Sequence, residues 1–157
     1  MTYSNYRNSD TANIDIEKVK LLKEICDKTG AKIVISSSWR GSEDYSPKHY
    51  YILRDILLKN NIKVLGDTPH IKTEIIGDLS KTTSIGEVLD IQYGTGRAAE
   101  IQEWLNEHKV ENFVILDDED WQWSDYGYEN NWVQPTWFGD GGLKREHVDR
   151  AIEILER

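Results

Sequence analysis

The chain has 157 residues, of which 38% are hydrophobic and 30% charged, and its formal net charge at pH 7 is −9. This length predicts one domain, spanning residues 1–157, with a single core. So acidic a chain argues against a protein that binds a phosphate backbone through a broad basic face, but it is compatible with a small basic pocket. The sequence has no apolar run that would span a bilayer and no signal-peptide pattern, and we therefore expect a cytoplasmic protein without a membrane partner.

Helices and short apolar strands alternate along the sequence. In chain order we predict a helix over 15–29, a strand over 32–36, a helix over 47–60, a strand over 62–65, a helix over 97–108, strands over 112–116 and 131–134, and a helix over 144–155. Residues 1–13 are polar, and 66–96 is rich in turn residues and predicts a long connection. The alternation is typical of an α/β fold in which helices cover both faces of a parallel sheet.

The first predicted helix carries local signals that fix its ends and its buried side. Asp15 is placed to cap it, and Ile14 and Val19 are spaced as a hydrophobic staple. Cys26 is the one cysteine, which excludes an internal disulfide, and we expect its thiol to be packed on the apolar side of this helix. The four histidines show no spacing typical of metal ligands, and the sequence predicts no zinc site.

Polar side chains follow two of the predicted strands. Three serines, Ser36 to Ser38, follow the first strand, and Asp117 and Asp118 follow the strand over 112–116. Ligands bind at the carboxyl ends of strands in open α/β sheets, where hydroxyls suit a phosphoryl group and carboxylates suit Mg²⁺. The simpler alternatives are a serine turn and a solvated acidic turn. Arg97 begins a helix before the acidic strand and could point into the same crevice, although an isolated arginine is more often a surface residue.

A tryptophan-rich loop follows the acidic residues, over 121–138. Its aromatic side chains are Trp121, Trp123, Trp132 and Trp137, together with Tyr126, Tyr128 and Phe138. Such a loop can act as a lid or as a stacking surface for a base or sugar. The alternative, which we favour, is a loop that large half-buried rings hold against the domain.

Taken in this order, these segments resemble the haloacid dehalogenase-like (HAD) phosphatase superfamily. The likeness is closest to a small branch with minimal caps that is met near nucleic-acid end-repair and phage proteins. It is carried by Gly30–Arg40 (GAKIVISSSWR), Arg97–Leu105 (RAAEIQEWL) and Val114–Asp118 (VILDD). The resemblance implies a three-layer, Rossmann-like parallel sheet.

The resemblance also implies roles for individual residues. In that family the second motif is a serine or threonine that binds the phosphoryl group, the third is a basic residue that stabilises the phosphorylated intermediate, and the fourth supplies acidic residues that hold Mg²⁺. The corresponding candidates are Ser37 and Arg97 as catalytic residues, Ser36, Ser38 and Arg40 as substrate-binding residues, and Asp118, then Asp117, as metal ligands.

One motif of the family is missing from the sequence. An apolar strand that ends in Asp-x-Asp-Gly should supply the nucleophile and the acid/base, and neither Asp10 nor Asp15 follows such a strand. We therefore expect Met1 to be an internal methionine, with this strand encoded upstream of it. In the family this strand lies centrally, so its loss predicts that another segment fills the gap or that exposed strand edges pair into a homo-oligomer.

The sequence thus predicts a Mg²⁺-dependent phosphomonoester hydrolase domain that acts on a small phosphorylated substrate or a nucleic-acid end. As printed it should be inactive, because it cannot form an aspartyl-phosphate. The alternative is a non-catalytic HAD-like module that binds phosphate or a protein. A module that stacks sugars or bases on the tryptophan-rich loop is a third class.

Overall fold

The computed structural model describes residues 14–37, 47–69, 96–136 and 141–157. Their helices and strands, in chain order, are α1 (Ile16–Thr29), β1 (Ile33–Ile35), α2 (Pro47–Lys59), β2 (Val64–Asp67), α3 (Arg97–Glu107), β3 (Ile115–Leu116), a 3₁₀ turn (Trp123–Tyr126), β4 (Trp132–Val133) and α4 (Arg145–Leu155). Every predicted helix and strand has a counterpart, although three strands are shorter than expected and β2 begins two residues later than predicted. The predictions for residues 1–13, for Ser38 and Arg40, for most of 66–96, and for Trp137 and Phe138 fall outside the described residues.

The ends of α1 are fixed as the sequence predicts. The Asp15 carboxylate accepts the backbone N–H of Glu17 at 2.9 Å, and Ile14 and Val19 are buried in one cluster. The helix ends at Gly30, whose φ of 73° is the left-handed conformation that favours glycine. Cys26 packs against the same cluster, so the prediction of a packed cysteine is confirmed, and burial raises the pKa of its thiol.

The strands form two parallel pairs. β1 pairs with β2, and β3 pairs with β4. The mixture of helices and small parallel sheets confirms the predicted α/β class. Within the described residues no strand joins β1 to β3, so the continuous three-layer sheet and its absent central strand stay predictions.

Helix α1 holds the two pairs together, because it contributes to two apolar clusters. One cluster contains its Val19 with β1 and α2, and the other contains its Ile25 with β4 and α4. Leu22 lies between them and packs against both. The second cluster buries the innermost side chains of α4, which are Val148, Ala151 and Ile154.

A third cluster supports the tryptophan-rich loop. Trp123 is 1% exposed and packs with Ala98 of α3, Ile115 of β3 and Tyr128. Its Nε1–H donates to the carbonyl oxygen of Glu119 at 3.0 Å. For the described part of the loop, the favoured interpretation of large rings held against the domain is therefore confirmed. None of the described helices is long and apolar enough to cross a membrane.

Candidate functional site

Hydroxyl groups meet where β1 and β2 end. Ser36 directly follows β1, and its hydroxyl accepts a hydrogen bond from Thr68 Oγ1 at 3.1 Å. Thr68 directly follows β2 and continues the pairing, because its N–H donates to the Ile35 carbonyl at 2.9 Å. Ser37 is the next residue along the chain and is half-buried. This edge therefore carries two candidates from the sequence, Ser36 and Ser37, and one hydroxyl that the sequence analysis missed.

Arg97 connects the ends of the two strand pairs. It is the first residue of α3, its side chain is 16% exposed, and its Nη1 donates to the carbonyl oxygen of Ser36 after β1. Its Nε lies 3.6 Å from Asp117 Oδ2, which follows β3. The structure thus brings Ser36, Arg97 and Asp117 together. The guanidinium is held from two sides, which fixes the position of its remaining N–H donors.

The two aspartates at the end of β3 have different surroundings. Asp117 is 10% exposed, and its Oδ1 accepts the N–H of Glu119 at 3.0 Å and Nε1–H of Trp121 at 3.3 Å. Burial raises the pKa of Asp117, although the Glu119 N–H and Arg97 oppose this effect. Both oxygens of Asp117 are therefore already engaged.

Asp118 is half-buried, and its carboxylate has no hydrogen-bond or ion-pair partner among the described residues. Its backbone carbonyl accepts Nε2–H of Gln134 at 3.1 Å, which anchors the segment beside β4. Asp118 is thus the better placed of the two for a cation. The described residues contain no group of three or more His, Cys, Asp or Glu that could hold a metal ion. They do not by themselves complete a magnesium site.

Trp121 is a second residue at this site, after Thr68, to which sequence reasoning gave no individual role. Its ring centroid lies 5.2 Å from Arg97 Cζ, and its Nε1–H reaches Asp117. It therefore contacts both members of the Arg97–Asp117 pair, in a geometry typical of a cation–π contact. The signal in the sequence was its spacing of four residues from Asp117, but the other tryptophans of the loop obscured it.

A second polar cluster lies at the end of β2. The Tyr50 hydroxyl of α2 donates to Asp67 Oδ2, and Arg54 Nη1 donates to the Tyr50 hydroxyl at 3.1 Å. Burial and the neighbouring Asp67 raise the pKa of Tyr50. This cluster adjoins the Ser36–Thr68 edge, because Ile35 lies opposite Asp67 in the strand register. The carboxyl ends of both strand pairs are therefore polar.

An α/β domain with a serine edge, a bridging arginine and an acidic strand end has the features of the HAD class. The sequence matches the family of HAD domains in Swiss Army Knife RNA repair proteins over residues 2–148. Because this match covers nearly the whole chain, the protein belongs to that family, and the resemblance stated above is confirmed. HAD-family domains typically use Mg²⁺. No curated protein and no solved structure matches the chain significantly.

Proposed function

We propose that this domain binds the phosphoryl group of a nucleic-acid end in the crevice between β1 and β3, and that it belongs to a Mg²⁺-dependent phosphomonoester hydrolase. The observation that carries the proposal is Arg97, which is fixed between Ser36 and Asp117 at the carboxyl ends of two parallel strands. A buried guanidinium with hydroxyls beside it suits a phosphoryl group. The RNA repair family to which the chain belongs supports a nucleic-acid substrate.

Each residue of the proposed site has its own part in binding the phosphoryl group. The guanidinium N–H groups of Arg97 donate to phosphoryl oxygens and offset their charge, while the Asp117 carboxylate holds the guanidinium in place. The hydroxyls of Ser37 and Ser36 donate to the same group. Asp118 would hold Mg²⁺, which when bound offsets further phosphoryl charge. In the HAD superfamily the nucleophile belongs to an Asp-x-Asp-Gly motif that the printed sequence does not contain, so the chain as printed is proposed to bind without turnover.

We also infer that the two strand pairs are parts of one sheet, with a further strand between β1 and β3. Two observations support this. In the described residues β1 has its partner on one side and β3 has its partner on one side. Helix α1 also packs across both pairs, as helices do on a continuous sheet.

Calorimetric titration with inorganic phosphate, with and without Mg²⁺, tests the proposed site. Arg97→Met should weaken phosphate binding by roughly 10- to 100-fold, since hydrogen bonds to charged groups contribute about 1.5–3 kcal/mol. Arg97→Lys should retain part of the affinity, because it keeps the charge. Arg150→Met on the exposed side of α4 is the matched control, and its affinity should equal that of the unaltered protein.

The proposed role of Asp118 in Mg²⁺ binding is tested with Asp118→Asn, and Glu119→Gln is the control. Mg²⁺ should strengthen phosphate binding in the unaltered protein and in Glu119→Gln, and it should have little effect in Asp118→Asn. Thermal unfolding verifies that each variant is folded. Phosphate binding that is the same in Arg97→Met and in the unaltered protein would rule out the site, and an unchanged Mg²⁺ effect would remove Asp118 from it.

A further inference from the structure

A shallow cavity of about 220 Å³ is lined in part by Gly96 and Ala98, the chain neighbours of Arg97, and none of the proposed roles uses it. We name it the Trp121 pocket. It lies between the start of α3 and the segment that follows β3, and its lining residues are Gly96, Ala98, Ala99, Asp120, Trp121, Gln122 and Tyr126. The α3 side is made of small residues, which leaves the space open, and the other side carries two aromatic rings.

The aromatic walls of the Trp121 pocket are held in place by their neighbours. Trp121 is held by its hydrogen bond to Asp117 and by Arg97. The ring of Tyr126 lies 6.0 Å from that of Tyr128 at an angle of 27°. Rings that are fixed before a ligand arrives bind it with a smaller loss of conformational entropy.

The charge of the Trp121 pocket indicates which part of a ligand it accepts. Of its lining residues, Asp120 carries the formal charge, and its Oδ1 accepts the N–H groups of Gln122 at 2.8 Å and Trp123 at 3.4 Å. A carboxylate repels a phosphoryl group but accepts hydrogen bonds from amino and hydroxyl groups. The pocket therefore suits a flat, uncharged ring with polar substituents.

We propose that the Trp121 pocket binds the nucleobase of the nucleotide whose phosphoryl group binds at Arg97. The inference rests on the proposed function. Trp121 connects the pocket to the proposed phosphoryl site, because it lines the pocket and the centroid of its ring lies 5.2 Å from the Arg97 guanidinium carbon. A nucleotide likewise carries its charged phosphate and its flat base at opposite ends of one sugar. The domain would thus recognise a terminal nucleotide by its base as well as by its phosphate.

The test compares 5′-AMP and 3′-AMP with ribose 5-phosphate, which lacks a base, in calorimetric titrations of the unaltered chain. The better nucleotide should bind roughly 5- to 100-fold more tightly than ribose 5-phosphate, the range expected for stacking of a base on an aromatic ring. Trp121→Leu should abolish this preference, and Trp121→Phe should keep most of it because the ring remains. Trp104→Leu is the control, since Trp104 stacks on His108 instead of lining the pocket.

Ala99→Leu provides a second route that leaves Trp121 and its hydrogen bond intact. The larger side chain should fill the Trp121 pocket and abolish the nucleotide preference, while ribose 5-phosphate binds as before. Equal affinities for the nucleotides and ribose 5-phosphate in the unaltered protein would overturn the inference and leave the proposed function standing. Failure of these compounds and of inorganic phosphate to bind would overturn both.

Discussion

Asp117 and Asp118 show how one step along the chain changes the chemistry of a carboxylate. Successive side chains of an extended segment point in opposite directions. Asp117 therefore turns towards Arg97 and Trp121, whereas Asp118 keeps a carboxylate without a partner in the described residues. Sequence reasoning could place both at the strand end. Sequence reasoning could not assign Trp121 to the site, because the contacts of Trp121 with Asp117 and Arg97 depend on how the loop folds back over α3.

His147 alone should make the free energy of unfolding depend on pH. Its Nδ1 accepts the N–H of Lys144 at the start of α4 at 2.9 Å, which requires that nitrogen to be unprotonated. Burial lowers the pKa of His147 from 6.5. The unfolded chain therefore takes up this proton more readily than the folded protein. The stability that the neutral His147 contributes is therefore present above pH 6.5, and it is lost as the pH falls through 6.5 towards the lower pKa of the folded state.

Urea unfolding between pH 7.5 and pH 5 measures this effect. His147→Gln should flatten the pH dependence, because glutamine at this third helical position can accept the same bond without titrating. His147→Ala should lower the free energy of unfolding at pH 7.5 by about 1 kcal/mol. His108→Gln, at an exposed position, should keep the pH dependence of the unaltered protein. An equally steep dependence in His147→Gln would assign it to another group.

Among the secondary-structure elements, β2 shows where a prediction from apolar pattern fails. The sequence predicts a strand from Ile62, but Ile62 belongs to the cap that follows the last residue of α2, Lys59. Its N–H donates to the Leu57 carbonyl at 2.9 Å, Asn61 donates to the Leu58 carbonyl at 3.0 Å, and Asn61 has a φ of 57°. This is a Schellman motif, in which asparagine takes the left-handed position. The first residue of the apolar run, Ile62, thus takes part in the helix cap, and the strand begins two residues later, at Val64.

The contact between α1 and α4 contains an ion pair that should affect stability at low pH. Arg145 donates to both oxygens of Glu24 at 2.7 and 2.6 Å, and Lys28 adds a third bond. Bonds from Arg145, and then from Lys28, lower the pKa of Glu24 from 4.5 to about 2. Because the folded-state pKa is depressed, this stability is present above pH 4.5 and is lost as the pH falls towards 2.

Thermal unfolding of Glu24→Gln from pH 7 to pH 2 tests the link between the helices. At pH 7 the variant should have a lower Tm than the unaltered protein, and the difference should shrink between pH 4.5 and 2. Glu17→Gln is the control, since Glu17 pairs with Lys20 within one exposed helical turn and exposed pairs of that kind contribute little. A Tm difference for Glu24→Gln that stays constant with pH would contradict the prediction.

At the scale of the whole molecule, β1 and β3 each have one side without a partner strand among the described residues, and we predict from this how copies of the chain associate. Ile33 donates to Lys63 and Ile35 accepts from Thr68, so the N–H of Val34 points away from β2. An unpaired strand edge of this kind binds another strand readily. The alternation of helices and strands made the class of fold predictable. The separation into two pairs was not predictable in the same way, because it depends on which strand lies between them.

Sedimentation measurements test the state of these edges. If no segment of the chain itself fills the gap between β1 and β3, we expect the chain as printed to form a homo-oligomer, and Val34→Pro should reduce its mass because proline removes the outward N–H. Leu65→Lys controls for unspecific apolar association, since Leu65 is 53% exposed on β2. A folded monomer at all accessible concentrations would contradict pairing between subunits.

The position of α1 across both strand pairs also determines when the domain can complete its folding during synthesis. α1 ends at Thr29, but α4, which covers its Ile25 side, begins at Arg145. At bacterial or eukaryotic translation rates the ribosome needs on the order of ten seconds to make the intervening chain. Throughout that interval the Ile25 side of α1 lacks the apolar cover that α4 provides, so this part of the core cannot finish packing until α4 has been synthesised.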